Sequence, residues 1–394
     1  MRVLYITPKA VYPKIDGGCV AMDNFLQLLL NENIEVKHLT LSTEKHSFDI
    51  NLYPSAIKKK TIPEAVDVLT EVTPLKGLVN LFKKGSYNVN RFHSHDMVDL
   101  ITRTLNSSHF DTVILDSLFS TSYLATIRNA FNGKVILRMH NIESDLWDAY
   151  AENEISFLKR VYLNKLAKNI RKYEFQTVNL VDGILTISND DLQALENANI
   201  KVPMITIPFS ILVKEAPHSQ YENTNLFHLG TMNWNPNIEA VNRLVELFPR
   251  IVETHPNLEL HIAGSNFPVN YLSQEASNIY ADGFIENPDQ FAIDQGILVS
   301  PIISGSGVRI KILEMMSIGI PIITTAIGAQ GINYLENNCL LVANTDEEII
   351  TMTTELIKNK NRQKELGKAA IHYITNNHKT DDISSKLVHF LDQF

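Results

Sequence analysis

Residues Ile297–Gly331 read ILVSPIISGSGVRIKILEMMSIGIPIITTAIGAQG. The apolar run Gly296–Ser300 stops at Pro301, which suits a buried strand. A glycine-rich turn, Ser304-Gly305-Ser306-Gly307, then leads into Val308–Ile318, whose apolar residues recur at helical spacing. Ile320–Thr324 is a second apolar run. Strand, glycine turn, helix and strand in so short a span predict a parallel α/β unit.

The same alternation continues on both sides. Leu226–Leu229, Leu258–Ala263, Ile279–Ala281 and Leu340–Val342 are strand-like, with helical patterns at Ile238–Glu253, Glu347–Lys358 and Arg362–Ile374. In the first half, Arg2–Thr7 is a strand ended by Pro8. A loop through Gly17-Gly18 follows, then a helix over Val20–Asn31 with Ala21, Phe25, Leu28 and Leu29 on one face, and a strand at Glu35–Leu41. Thr112–Leu115, Val135–Met139 and Gly183–Ile187 extend the series, with helices at Leu118–Phe131 and Ser144–Val178. Met204–Phe209 is apolar but interrupted by prolines, and polar Pro217–Asn225 reads as the linker. The chain of 394 residues is long enough for two or three domains at about 150 residues each. The pattern predicts two doubly wound parallel sheets, in domains 1–210 and 211–378, facing across a cleft with ligands at the carboxyl ends of the strands.

Composition narrows the class. The chain is 44% hydrophobic and 20% charged, as expected of a globular protein. Its net charge, 35 − 44 = −9, argues against a nucleic-acid binder that needs a basic surface. Residues 1–205 hold 23 basic and 23 acidic side chains, so the excess lies in the remaining 12 and 21. Cys19 and Cys339 form no disulfide framework and no metal-type spacing. The N-terminal apolar run is too short for a signal peptide, and no stretch reaches the roughly 18 apolar residues that span a bilayer. The expectation is a cytoplasmic protein. Pro74–Arg91 sets Leu75, Leu78, Val79, Leu81 and Phe82 beside Lys76, Lys83 and Lys84. Such a basic amphipathic stretch either rests peripherally on the inner membrane surface or packs on its own domain.

The glycine turn points to an anion. Glycines admit a ligand close to the backbone, and the amides of a helix N-terminus face it. Arg309 and Lys311 fall in the first helical turn, where each cation opposes the macrodipole by about 0.3–1 kcal/mol. A bound phosphate or diphosphate removes the conflict; the alternative is a solvated Lys311–Glu314 pair at i,i+3 spacing. Gly305-x-Gly307-x-x-Ile310 lacks the third glycine of a dinucleotide fingerprint, no acidic residue follows at the required distance, and no P-loop sequence occurs. A nicotinamide enzyme and a P-loop kinase are disfavoured. With no D-x-D pair and no His/Cys cluster in sequence, no metal is expected. Asp116 ends a strand and is a candidate to orient an acceptor.

Gly305–Thr325 (GSGVRIKILEMMSIGIPIITT) resembles the donor-nucleotide motif of glycosyltransferase family 4, retaining enzymes of the GT-B fold that use nucleotide-activated sugars. Phe227–Asn237 (FHLGTMNWNPN) is similar to the opening of the donor domain in one branch of that family. Leu260–Gly264 resembles its next strand, and Asp282-Gly-Phe284 the segment lying over the base. Gly17-Gly18 matches the loop that meets the diphosphate, and Arg138–Glu143 (RMHNIE) the segment bearing an active-site histidine. Two positions depart from the family. Ser306 stands where the first of two glutamates is usual, Glu314 being the second, and the basic pair early in the donor domain is missing from Gly230–Asn237.

The resemblance implies transfer of a sugar from a nucleotide-sugar to a glycan or lipid-linked acceptor, in cell-surface polysaccharide synthesis, with no metal and no cofactor beyond the donor. Arg309 and Lys311 would hold the diphosphate, helped by the amides of Gly17-Gly18 and of Ser304 to Gly307. His140 would donate a hydrogen bond to the sugar or the diphosphate, and Glu314 would accept from the ribose. Thr231, Trp234, Gly264 and Phe284 would line the donor pocket, and Asn141 and Glu143 would join Asp116 on the acceptor side. The last helix, within 379–394, would cross back to the first domain. A sugar-nucleotide epimerase on this fold, or a non-catalytic subunit that keeps it, are the alternatives.

Overall fold

A computed structural model describes residues 1–70, 86–214, 221–267, 277–305 and 307–394. The chain divides into two units: Met1–Ser210 with Thr380–Phe394, and Ile211–Lys379.

The first unit holds seven strands among the described residues: β1 (Arg2–Thr7), β2 (Glu35–Ser42), β3 (Glu64–Asp67), β4 (Thr112–Asp116), β5 (Lys134–Met139), β6 (Gly183–Thr186) and β7 (Met204–Thr206). They pair in the order β3-β2-β1-β4-β5-β6-β7, all parallel. β1 shows why both faces are covered. Val3 and Tyr5 enter one apolar cluster and Leu4 and Ile6 the other. A parallel sheet buried on both sides needs such continuous apolar strands. Helix α1 (Gly17–Asn31) covers the first face and starts at Asp16, whose carboxylate accepts from the Cys19 N–H at 3.0 Å.

Ser144–Val178, continuous in sequence pattern, is broken in the structure. Helix α2 (Glu143–Asn153) and helix α3 (Phe157–Thr177) pack as a hairpin around Glu154-Ile155-Ser156. Within the turn the Ser156 N–H donates to Glu154 Oε1 at 2.8 Å. Leu118–Phe131 is likewise a tight 3-10 segment, Leu118–Tyr123, followed by a short α-helix to Ala130.

The second unit repeats the plan with β8 (Asn225–Leu229), β9 (Leu260–Ala263), β10 (Ile279–Gly283), β11 (Gly296–Ser300), β12 (Ile322–Thr324) and β13 (Leu341–Val342), in the order β10-β9-β8-β11-β12-β13. Helix α4 (Asn235–Val252) follows β8, and helix α5 (Ile310–Ser317) follows β11. Helix α6 (Thr380–Leu391) lies against α1 in the first unit, burying Ile383, Leu387, Phe390 and Leu391.

Each sheet therefore reverses its winding once, between β1 and β4 and between β8 and β11. Ligands of open α/β sheets bind beyond the carboxyl ends of the strands at such points. At the second of these ends, backbones approach too closely for a side chain. Gly264 has φ +151°, and a Cβ there would lie 1.7 Å from the Gly230 carbonyl oxygen. Gly264→Ala is expected to cost at least about 1–3 kcal/mol from backbone strain alone, plus the clash. A thermal melt indistinguishable from wild type would contradict this.

Candidate functional site

In the first unit, Asp116 closes β4 and is the register partner of Arg138 in β5. Both are buried. Asp116 Oδ2 accepts from Arg138 Nη1 at 2.9 Å and from the Tyr5 hydroxyl, and Oδ1 faces His140 Nε2. Arg138 also donates to the Ala21 carbonyl at 3.2 Å and lies over the Phe25 ring, 4.6 Å from its centroid. Burial by itself would raise the Asp116 carboxyl, but Arg138 and then His140 hold it well below the usual carboxylate range. Burial lowers the His140 imidazole, partly opposed by Asp116. His140 Nε2 faces both Asp116 Oδ1 and, at 3.0 Å, Arg138 Nη1, so this nitrogen is engaged within the buried group. Asp116 is therefore placed to orient His140 and is too buried to touch an acceptor itself.

Glu143 opens α2, just beyond Asn141 and the N-cap residue Ile142. Glu174, from α3, accepts the N–H groups of Glu143 at 2.8 Å and Ser144 at 3.0 Å, satisfying two amides of a helix start. Both carboxyls are buried. Burial and then the charge of Glu174 push Glu143 up to about 8; burial raises Glu174 to about 7, against its hydrogen bonds. The amides favour ionised Glu174, and that charge in turn favours the protonated form of Glu143.

Beside β1 lies a second polar group. Lys9 Nζ meets both Asp16 oxygens, at 2.7 and 2.8 Å, and His46 Nε2 meets Asp16 Oδ2 at 2.7 Å. Burial opposes ionisation of Asp16, but His46 and Lys9 hold it far below the usual range. A Cβ at Gly18 would sit 2.7 Å from Lys9 Nζ, whereas one at Gly17 would meet nothing within 4 Å. Folding thus brings Asp16, Cys19 and His46 together, a set whose spacing in sequence showed no ligand cluster. Lys9 already occupies the carboxylate, and burial raises the Cys19 thiol to about 11, so the trio is a poor match for a divalent ion.

In the second unit, the ends of β8, β9 and β10 converge through backbone alone. Gly230 N–H donates to the Ala263 carbonyl at 3.0 Å, and Gly264 N–H to the Gly283 carbonyl at 2.7 Å. Thr231 and Trp234 lie in the loop before α4, where the Asn237 amide donates to the Thr231 carbonyl at 2.9 Å. Trp234 faces the glycine turn. A Cβ on Gly305, at φ +92°, would be 3.4 Å from its Cζ2 and 3.3 Å from Pro236 Cγ. Ser304 donates to Glu239 Oε2 at 2.5 Å.

Arg309 is the residue before α5 and points inward. It is buried, donates to the Gly307 carbonyl at 2.7 Å and lies over Trp234 at 5.3 Å. Lys311 is partly exposed and paired with Glu314 at 2.6 Å. Phe284 stands 72% exposed beyond β10. Ser306 lies outside the described residues, as do Lys76, Lys83 and Lys84 of the basic stretch.

The structure thus gathers Ser304, Gly305, Gly307, Arg309 and Trp234 at one switch point, and Asp116, His140, Gly17 and Gly18 around the other. Sequence reasoning did not single out Tyr5, Lys9, Asp16, His46, Glu174 or Glu239. Only Lys9 and Asp16 carried a usable signal, sitting just past a strand-ending proline and just before the paired glycines.

Glu143 carries a pH prediction. A folded pKa raised above its unfolded value adds stability below the unfolded pKa that is lost as pH rises through about 8. Wild-type Tm is expected to fall across that interval more steeply than that of Glu143→Gln, which has no proton to lose. Parallel curves would refute the assignment.

Residues 223–359 match the family described as Glycosyl transferases group 1. A Klebsiella pneumoniae chain described as an uncharacterized 44.6 kDa protein in the cps region is 25% identical over 413 residues, covering 98% of each chain. Among solved structures, sucrose-phosphate synthase from Thermosynechococcus elongatus superposes with TM-score 0.71 at 12% identity, over 100% of this chain and 98% of that one. The pneumococcal O-GlcNAc transferase GtfA, solved with UDP and GlcNAc, gives 0.68 at 13%, over 100% and 99%. The chain has the two-domain, Rossmann-like GT-B fold, and its residues 223–359 carry a match to the glycosyl transferases group 1 family.

Proposed function

We propose that the chain is a retaining glycosyltransferase that moves a sugar from a nucleotide-sugar to a glycan or lipid-linked acceptor during assembly of a cell-surface polysaccharide. The observation that carries this reading is the glycine turn Ser304–Gly307 at the second sheet's switch point, flanked by Trp234, with Lys311 in the helix turn that follows. The family match spans the turn, one relative's description places it in a cps region, and one structural neighbour was solved with UDP and GlcNAc.

Sugar transfer requires the leaving diphosphate to be stabilised as the glycosidic bond breaks. Lys311 exchanges Glu314 for the phosphate, and the freed Glu314 accepts from the ribose. Arg309 contributes by holding the turn open through the Gly307 carbonyl and Trp234. In the first unit, Asp116 orients His140 for a hydrogen bond to a sugar hydroxyl, and the Gly17-Gly18 amides are the candidate anion donors. No protein nucleophile is required, because the leaving phosphate takes the acceptor's proton. A metal is not required either, the positive charge being supplied by side chains and amides.

A thermal-shift screen against UDP, GDP, ADP and their sugars should show one base raising Tm by mass action. With that donor, Lys311→Ala is expected to lower kcat/KM about ten- to a hundredfold, the worth of one charge-assisted hydrogen bond. An unchanged kcat/KM would remove Lys311 from the diphosphate. Arg309→Ala should lose similar activity and also Tm, since Arg309 supports the turn; retention of both would contradict its placement. Epimerised donor appearing without acceptor would replace transfer with epimerisation.

A further inference from the structure

The hairpin of α2 and α3 carries a surface that the sugar-transfer reading leaves unused. The buried residues of α3 are Leu166, Ala167, Ile170, Glu174 and Thr177, a core-facing stripe confined to its later turns. From 157 to 165 no residue is fully buried, Tyr162 and Leu163 being only partly covered, although the start is apolar. Ile155 is 96% exposed, Phe157 68%, Leu158 79% and Val161 53%. Single exposed apolar side chains are ordinary, but four within Ile155–Val161, at the turn of a hairpin, form one patch.

Charge continues the same face. From Ile155 to Lys172 the chain has six basic residues and no acidic one. Arg171 is taken by Asp145 and Asp148 of α2. Lys165, Lys168 and Lys172 follow Phe157 and Val161 at steps of four, four, three and four, so all five share a helix face. The three lysines are exposed and make no ion pair among the described residues. An apolar tip thus passes into an unneutralised cationic stripe along one helix.

We propose that this hairpin docks on an anionic lipid membrane, with Phe157, Leu158 and Val161 entering the acyl boundary and the lysine stripe lying on headgroup phosphates. The charge complementarity selects the occupant. A run of cations with no acidic residue among them suits a dense anionic plane, and a convex apolar tip suits insertion into it. No described helix is long and apolar enough to cross a membrane, so the contact is interfacial. The proposal locates a membrane contact suited to a lipid-linked acceptor, but it rests on none of the transfer chemistry.

Co-sedimentation of the full chain with phosphatidylcholine vesicles, with and without phosphatidylglycerol, tests it. The wild type is expected to sediment with the anionic vesicles only, and less so as salt is raised. Phe157→Ser/Leu158→Ser/Val161→Ser and Lys165→Glu/Lys168→Glu/Lys172→Glu should each lower the partition coefficient at least tenfold. Both should keep the wild-type Tm and activity on a soluble acceptor, because the substituted side chains are exposed. Failure to bind anionic vesicles, or equal binding by the variants, overturns the proposal. So does a lipid-free dimer, seen by light scattering, that the apolar triple variant abolishes. Vesicle binding is read without donor or acceptor, so its failure leaves sugar transfer standing, and the reverse also holds.

Discussion

Parallel pairing leaves these sheets almost nowhere to place chemistry. Strand backbones spend their N–H and C=O groups on neighbours, and both faces of β1 are sealed by apolar clusters. What remains accessible is the row of strand ends, and at the point where winding reverses the helices leave a gap there. Asp116, His140, Lys9 and Asp16 cluster around one such gap, and Gly230, Trp234, Ser304, Gly305 and Gly307 around the other. The position of each candidate residue follows from this restriction before any question of its chemistry arises.

The two units meet that restriction by different means. The first uses charge. Buried Asp116 is tolerable only because Arg138, Tyr5 and His140 satisfy both of its oxygens, and removing one partner of such a buried pair typically costs about 3–5 kcal/mol. That cost makes the set rigid and fixes which nitrogen His140 presents. The second unit uses the absence of side chains. Gly264 lets its strand end come against the Gly230 backbone, and Gly305 clears space before Trp234. Backbone amides positioned in this way carry no net charge, so they suit an anion without requiring a buried cation of their own.

Fold class was legible because continuous apolar runs such as RVLYIT and TVILD can only be buried parallel strands, and because helices recur between them. The glycine turn was legible because its residue types are rare together. Three features were hidden for physical reasons. The Asp116–Arg138 pair joins residues 22 positions apart through strand register, which periodicity does not reveal. The break between α2 and α3 carries neither proline nor glycine, only Glu154-Ile155-Ser156, so helical patterning ran straight through it. The direction of Arg309 depends on Trp234, some seventy positions earlier and on another strand's loop. Spacing placed Arg309 beside the turn but left open whether it faced outward or inward.

Charge shows best why sums mislead and placement decides. The second unit lies within the acidic half of the chain, and its basic motif looked like a local exception. Once folded, Arg309 donates to a carbonyl of the turn and Lys311 is matched by Glu314, so little positive charge stands free there. An anion at that turn gains chiefly from amides and from whatever Lys311 releases on leaving Glu314. The first half sums to zero, and some of its charges cancel locally, Lys9 with Asp16, Arg138 with Asp116 and Arg171 with Asp145. Lys165, Lys168 and Lys172 make no such pair among the described residues. Segregation of Lys165, Lys168 and Lys172 onto one helix face gives the nominally neutral half a local positive field. The range of that field is about a Debye length, so an anionic partner would feel the stripe and not the distant sum.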